Sequence, residues 1–502
     1  MNNFVKKAGD FLKTDRFSSA VVTALVIAVV MVVNAILFTV AELFGLGFTY
    51  TEEIDYSLTG DTDTLFADAI KENKKVTVYF CMAESEVEVH STGYEVYKTA
   101  KNLAEKYPDF IELDFINIIT RQDKDGNYID LSKYKTDNIP IYKTSVIFEC
   151  GDNNRVLTDT YTAAGFANFF TLDSSMYVTA YNGEEVMSSM IAWVTESEHK
   201  KAYFTQRHGE MADLAFTNLL TAAGYELDVI DLRKNSVPED ADLLIVSNPT
   251  SDFEASKDGS VYTEIDKIKA YMERGGNLYV ALDPYVKTLT AFEDFLSEYG
   301  ISFSVSESSS GKRIRNMVKD PNNAITADGF TLVCDYAGGD VAGAISEKTS
   351  AHSDGKVIVR EASALELSGA AKPLLRASSS SVLEAEGRTV SDSGSYTIAA
   401  YSEIANKAGG SSRIFVVPSI YLTVSDSLIS ESYANKDFLY SVFDVLYGAD
   451  NLPYGCRPIV YSSSILQNLT MGTARVYTAL ALIAPTAIAI VGAVVLTRRK
   501  NR

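Results

Sequence analysis

Through the middle of this chain, short apolar runs alternate with stretches whose apolar residues recur three and four positions apart. These are the signatures of strands and amphipathic helices. Lys75 to Cys81 predicts a buried strand, Thr92 to Tyr107 an amphipathic helix, and Phe110 to Ile118 and Thr144 to Glu149 two further strands. Arg155 to Tyr161 can fold back on the last of these across Gly151-Asp152-Asn153-Asn154. A βαβ unit followed by a hairpin predicts a small α/β domain, thioredoxin-like in outline, over 45–195.

The same alternation restarts near Lys200. Strands are expected at Lys201 to Thr205, Tyr225 to Leu232, Ala241 to Ser247 and Leu278 to Leu282. Helices are expected at Met211 to Ala223, Thr263 to Glu273 and Phe292 to Tyr299, stopped by Gly224, Gly275-Gly276 and Gly300. This pattern predicts a parallel sheet covered on both faces, in a second domain over 196–455. Ligands of such sheets bind beyond the carboxyl ends of the strands. Gln206 to Glu210, Ser247-Asn248-Pro249 and Asp283-Pro284-Tyr285 would then share one rim. Beyond Ser302 the chain is rich in Ser, Ala and Gly, and the stretches 303–312 and 345–392 read as long loops or mobile hairpins inserted in the second domain. A strand at Arg413 to Val417 and a helix at Asp437 to Tyr447 would complete it, and 456–475 would form a stalk.

The two ends differ from everything between them. Apolar runs cover 20–44 and 476–497, each long enough to cross a hydrocarbon core about 30 Å thick. Lys6, Lys7, Lys13 and Arg16 flank the first, and Arg498, Arg499, Lys500 and Arg502 the second. Positive charge marks the cytoplasmic side. Both termini, 1–19 and 498–502, are therefore expected inside, with the bulk of the chain outside the cytoplasm. A cleaved signal peptide would explain the first run, and a buried helix the second. The length of the first apolar stretch and the Arg-Arg-Lys ending of the second favour two spans. Asn34, Pro485, Ala489 and Ala493 suit close packing against other helices in lipid. Two single spans form no channel, so a membrane partner is expected.

The chain carries 45 Lys+Arg against 66 Asp+Glu, a net charge of −21, and its basic ends make the middle more acidic still. This excludes nucleic acid as a partner, since counterion release needs clustered Lys and Arg. Cys81, Cys150, Cys334 and Cys456 lack metal or redox spacing. Cys81 and Cys150 could pair if their strands are neighbours, although free thiols are the simpler reading. Asp123-Lys-Asp125-Gly126-Asn127 misplaces the Gly of a calcium loop and reads as a turn. No metal and no cofactor is expected. No Gly-x-x-x-x-Gly-Lys-[Ser/Thr] occurs, so ATP is not bound through a P-loop. Neither Gly-x-Ser-x-Gly nor Gly-x-Cys-x-Gly stands at a strand-to-helix turn, and no catalytic residue is assigned. His208 and Glu210 could act as acid and base or touch a ligand, with Asn248 and Asp283 beside them. Equally, Gly209 could simply permit the turn while Glu210 favours the start of the next helix.

Phe204 to Glu210 before a helix, Val237 to Val246 leading to Asn248-Pro249, and Gly275-Gly276-Asn277-Leu278 to Asp283-Pro284 resemble the GldG-like auxiliary proteins of ABC transporters, a gliding-motility-associated family. The family's first motif is usually Gly-His-Gly-Glu, whereas Arg207 here precedes His208-Gly209-Glu210. Tyr56-Ser57-Leu58-Thr59 before a helix and Val76 to Tyr79 are similar to its first outer domain. Arg413 to Val417, with Asn435 before the last helix, looks like its final block, although Pro418 replaces a usual Gly.

The resemblance implies a non-catalytic subunit in the cell membrane, with a type-2 ABC permease and a cytoplasmic ATPase as partners. It further implies an amidotransferase-like, flavodoxin-like outer domain without a nucleophile. A two-anchor surface enzyme or carbohydrate-binding ectodomain, using the rim around His208, Glu210 and Asp283, is the alternative.

Overall fold

The computed structural model describes residues 54–134, 140–158, 166–172, 178–256, 261–406, 410–430 and 432–461. The expected spans at 20–44 and 476–497, with Asn34, Pro485, Ala489 and Ala493, lie outside the described residues. Among the described residues no helix is long and apolar enough to cross a membrane.

The first lobe is built on β1 (Val76–Phe80), β2 (Ile111–Phe115), β3 (Val146–Cys150) and β4 (Asn153–Leu157), in the order β2-β1-β3-β4. β1 and β2 run parallel with Val76 opposite Ile111, and β3 and β4 form the expected hairpin. Helices Thr62–Lys71, Gly93–Lys106 and Gly183–Thr195 bury Phe66, Val96, Leu103, Met187 and Ile191 in one core with Val76, Val78, Phe80 and Phe148. Because β1 and β3 are antiparallel, Cys81 follows one end of the pair and Cys150 closes the other, so they cannot be joined. All four cysteines are free, and Cys150 is only half-buried. Short strands β5 (Phe170–Leu172) and β6 (Val178–Tyr181) complete this lobe.

The second lobe holds a mixed sheet. Its parallel part is β7 (Lys201–Thr205), β8 (Glu226–Ile230), β9 (Leu243–Ser247) and β10 (Asn277–Ala281), joined late in the chain by a strand at Ser411–Val417. Alternate residues face opposite ways. Leu243, Ile245 and Tyr279 pack on one side with Phe216 and Phe443, while Leu244, Val246 and Val280 pack on the other with Ile268, Met272 and Phe295. Both faces of β9 and β10 are covered, which is why these two strands read as apolar runs.

Residues 301–405 depart from expectation. They are ordered as β11 (Ile301–Phe303), β12 (Val305–Glu307), β13 (Arg313–Arg315), β14 (Met317–Lys319), β15 (Thr331–Tyr336), β16 (Val357–Arg360), β17 (Leu365–Leu367), β18 (Lys372–Arg376), β19 (Val382–Ala385), β20 (Arg388–Thr389) and β21 (Thr397–Ala405). The strand at Ser411–Val417, β22, pairs with β10 on one side and antiparallel with β21 on the other. From there the sheet continues through β18 and β15 to β16, so it is mixed where a parallel one was expected. A helix, Asp340–His352, also crosses the expected insertion at 345–392. The small residues are there for packing: Ser363, Ser381, Ser402, Ala364, Ala377 and Ala399 are all buried. Composition suggested loops because it measures polarity and size, and both also suit tightly packed sheets.

The expected stalk is corrected over its first six residues. β23 (Ile459–Val460) pairs with β6 in the first lobe, and Cys456 is buried. Asp61 N–H donates to the Tyr454 carbonyl at 3.0 Å, and Arg457 N–H to Thr59 Oγ1 at 2.9 Å. Glu184 accepts from Gly60 N–H at 2.7 Å and from Thr59 N–H and Oγ1 at 2.9 and 2.8 Å. Tyr56 Oη donates to Glu95 Oε1 at 3.1 Å, and the Tyr461 hydroxyl donates to Oε2 of the same carboxylate. One side chain thus holds both ends of the described chain.

Candidate functional site

In the order β8-β7-β9-β10-β22 the direction of winding reverses between β7 and β9, and a crevice at such a point is the usual ligand site. His208, Glu210 and Asn248 lie there. After β7 the backbone turns through two positive-φ residues, Arg207 at 89° and Gly209 at 79°. Gly209 is obligatory: a Cβ there would sit 2.1 Å from Thr250 Oγ1. The double turn points His208 inward, where only 4 % of its side chain is exposed.

Every polar atom of His208 is occupied. Nδ1 lies 2.9 Å from Glu210 Oε1 and Nε2 3.0 Å from Glu264 Oε2. Its backbone N–H donates to Glu210 Oε2 at 2.6 Å, and its carbonyl accepts from Thr250 N–H at 2.8 Å and Ser251 N–H at 2.9 Å. The ring stacks on Phe253 at 4.0 Å, and Phe253 on Phe292 at 4.9 Å. A carboxylate on each nitrogen favours the doubly protonated ring, in which both nitrogens donate. Burial opposes that charge, yet the bonds to Glu210 and Glu264 outweigh it and hold the His208 pKa above its ordinary value. Burial likewise opposes the Glu210 charge, but the His208 ring bond, the backbone N–H bonds and the His208 charge together outweigh it and hold that pKa low.

Through these contacts His208 ties the loop after β7 to 250–254 and to helix Glu264–Glu273. Glu210 does not start the next helix, as one reading expected. That helix, Leu214–Ala222, is capped instead by Asp213, which accepts from Ala215 N–H at 2.8 Å.

Asn248 follows β9 with φ 54°, a left-handed position that Asn tolerates, and its N–H donates to the Ala281 carbonyl at 2.8 Å. Asp283 follows β10 by two residues and accepts from Tyr285 N–H at 2.9 Å, shaping a turn. Its carbonyl receives Arg315 Nη1 at 2.9 Å, and Arg315 Nη2 pairs with buried Glu293 at 2.6 Å. Beside this turn a cleft of about 420 Å³ is lined by Tyr285, Lys287, Arg313, Phe330 and Glu386, among others.

Three neighbours of these residues escaped the sequence. Glu264 lies in the first helical turn after Thr263, whose hydroxyl and N–H both meet Asp266 in a capping box, so it reads as a routine helix start. Arg315 lies in the stretch beyond Ser302 read as loose. Asp231, just after β8, is buried beneath Arg233 and Arg207, with Nε atoms 3.3 and 3.8 Å away and Lys234 Nζ also at 3.8 Å. Burial raises the Asp231 pKa, but the Arg233 bond and the Lys234 charge outweigh it and lower the net value. Only the density of basic residues at 233–234 hinted at this cluster. Among the described residues no His, Cys, Asp and Glu group has metal-holding geometry.

No protein-family model and no curated protein matches the chain. Solved structures do. The mmIFT52 N-terminal domain is 17% identical with a TM-score of 0.37, covering 50% of this chain and 99% of that one. A ThuA-like protein from Bacteroides uniformis ATCC 8492 is 14% identical with a TM-score of 0.31, covering 49% and 91%. PurLQS from Thermotoga maritima is 13% identical with a TM-score of 0.28, covering 50% and 100%. Likeness at this level carries no argument about the site.

Proposed function

We propose that this chain is a non-catalytic auxiliary subunit of a type-2 ABC export system, anchored in the cell membrane by 20–44 and 476–497 with both termini cytoplasmic. On this reading the main sheet is an amidotransferase-like, flavodoxin-like scaffold without a nucleophile, and the outer region handles or gates the exported substrate. The observation that carries the reading is the meeting of Tyr56 and Tyr461 on Glu95. The chain would enter and leave its folded body at one place. Tyr56 lies twelve positions after 44 and Tyr461 fifteen positions before 476, tethers of about 40–55 Å at most when fully extended. Tethers of that reach allow the two spans to insert as neighbours and to pack together on a permease. The engaged His208 and the GldG-like motif order agree with a subunit that does no chemistry.

Co-expression with an ABC permease and ATPase from the same genome tests it. A tagged chain solubilised in mild detergent should bring both down, and Pro485→Leu with Ala489→Leu should weaken that recovery. If neither subunit co-purifies with the unaltered chain, the reading fails. The cleft beside Asp283 supports a second reading, a carbohydrate-binding ectodomain, because exposed Tyr285 offers a ring face beside the polar groups of the lining. Tyr285→Ala abolishing binding of a wall oligosaccharide would favour it.

A further inference from the structure

Next to the engaged His208 stands a residue whose side chain is not engaged in the same way. Arg207 holds φ at 89°, a conformation that suits glycine and strains an arginine. Its side chain is 57% exposed, and its Nε lies 3.8 Å from Asp231, ion-pair distance but too long for a hydrogen bond. Lys234 Nζ is likewise 3.8 Å from that carboxylate and 72% exposed, while Arg233 bonds it at 3.3 Å and is 47% exposed. Three cations thus converge on one carboxylate, leaving a surplus of about two positive charges at this rim. A fourth, Lys267, reaches the carbonyl of Leu232 in the same turn. This happens on a chain of net charge −21, at the carboxyl ends of β7 and β8. Asp231 acts as the organiser: it gathers the cations and leaves most of their donors facing solvent.

We propose that Arg207, Arg233 and Lys234 form an anion subsite for a phosphate group. A phosphate carries about −1.5 to −2 charges at neutral pH, matching the surplus better than a carboxylate does, and guanidinium forks grip it through paired donors. Resting on the export reading above, this phosphate is a group borne by the exported substrate. The strain at Arg207 is then the cost of placing a guanidinium where glycine would fold better.

Thermal unfolding of the full chain in a neutral detergent at low salt tests the proposal, with inorganic phosphate and glucose 1-phosphate as probes. Both should raise the midpoint in proportion to the logarithm of concentration, and added sodium chloride should cancel the rise. Arg207→Gly should keep or raise the midpoint without ligand, because it relieves the strained φ, while weakening phosphate binding at least tenfold. Arg207→Lys should bind more tightly than Arg207→Gly. A purely structural Arg207 would give no ligand-dependent difference between these variants. Absence of any phosphate shift, or equal binding by Arg207→Gly, overturns the subsite. Tighter binding of inorganic phosphate than of the sugar phosphate overturns the substrate-borne source. Co-purification with the permease is read separately, so loss of the export reading would leave the subsite itself testable and intact.

Discussion

At the switch point between β7 and β9 a histidine sits between two carboxylates, Glu210 and Glu264; at the first lobe a carboxylate, Glu95, sits between two tyrosines, Tyr56 and Tyr461. Both join segments far apart in sequence through one central side chain. The first is charged on every member and nearly sealed, since 2–8 % of each side chain is exposed. The second has one charge and two neutral donors and is only half-buried. A sealed charged cluster fixes geometry, because removing any member strands the others without solvent. A half-buried cluster with neutral donors can open at modest cost. Rigidity therefore belongs to the rim around His208, and opening to the place where Tyr56 and Tyr461 meet on Glu95.

The largest test of that contrast is Glu264→Ala. It leaves the His208 cation with one buried partner, and breaking a buried ion pair costs about 3–5 kcal/mol. Chemical denaturation should show the unfolding free energy falling by that amount, as a lower midpoint with an unchanged slope. A loss below about 1 kcal/mol would mean that water enters the site and that the cluster does not fix the loop after β7.

Glu95→Ala should behave differently. Hydrogen bonds to a charged group contribute about 1.5–3 kcal/mol each, but here the loss should stay local. Hydrogen exchange should quicken at Ile459 to Tyr461 and at Tyr56 to Thr59, while the strands β7, β9 and β10 keep their protection. Uniform acceleration through the second lobe would erase the distinction between a clasp that opens and a clamp that does not.

The parts legible in the sequence are those where one local rule decides. β9 is an unbroken apolar run because both faces are covered, and the helix Glu264–Glu273 carries its own capping box. His208 and Glu210 stood out because they follow a strand. Glu264 did not, since its contact with His208 spans 56 residues and its own neighbours explain it as a helix start. The strands β11 to β21 were missed because buried Ser363, Ser381 and Ser402 look like loop residues one at a time. β23 was missed for a related reason: two residues carry no period, and only β6 makes them a strand. Arg207 was noticed as a departure from a motif, but its meaning lies in φ and in Asp231, neither of which sequence displays.

The finest test of the contrast is pH. His208 has a folded pKa above its ordinary 6.5, so the stability it contributes is complete below pH 6.5 and is lost as pH rises through the folded value. Glu210 has a folded pKa below its ordinary 4.5, so its contribution is complete above pH 4.5 and is lost as pH falls through the folded value. Both are therefore at full strength between pH 4.5 and 6.5, and the His208 contribution should be lost as pH rises through its raised folded value. The Glu95 clasp has no histidine and predicts no such decline for exchange at Ile459 to Tyr461. Glu264→Gln separates the two. It keeps a hydrogen-bonding oxygen near His208 Nε2 but removes one of the charges that favour the imidazolium, so the alkaline decline should begin closer to pH 6.5. An unmoved decline would mean that Glu210 alone holds the proton and that Glu264 serves only to close the site.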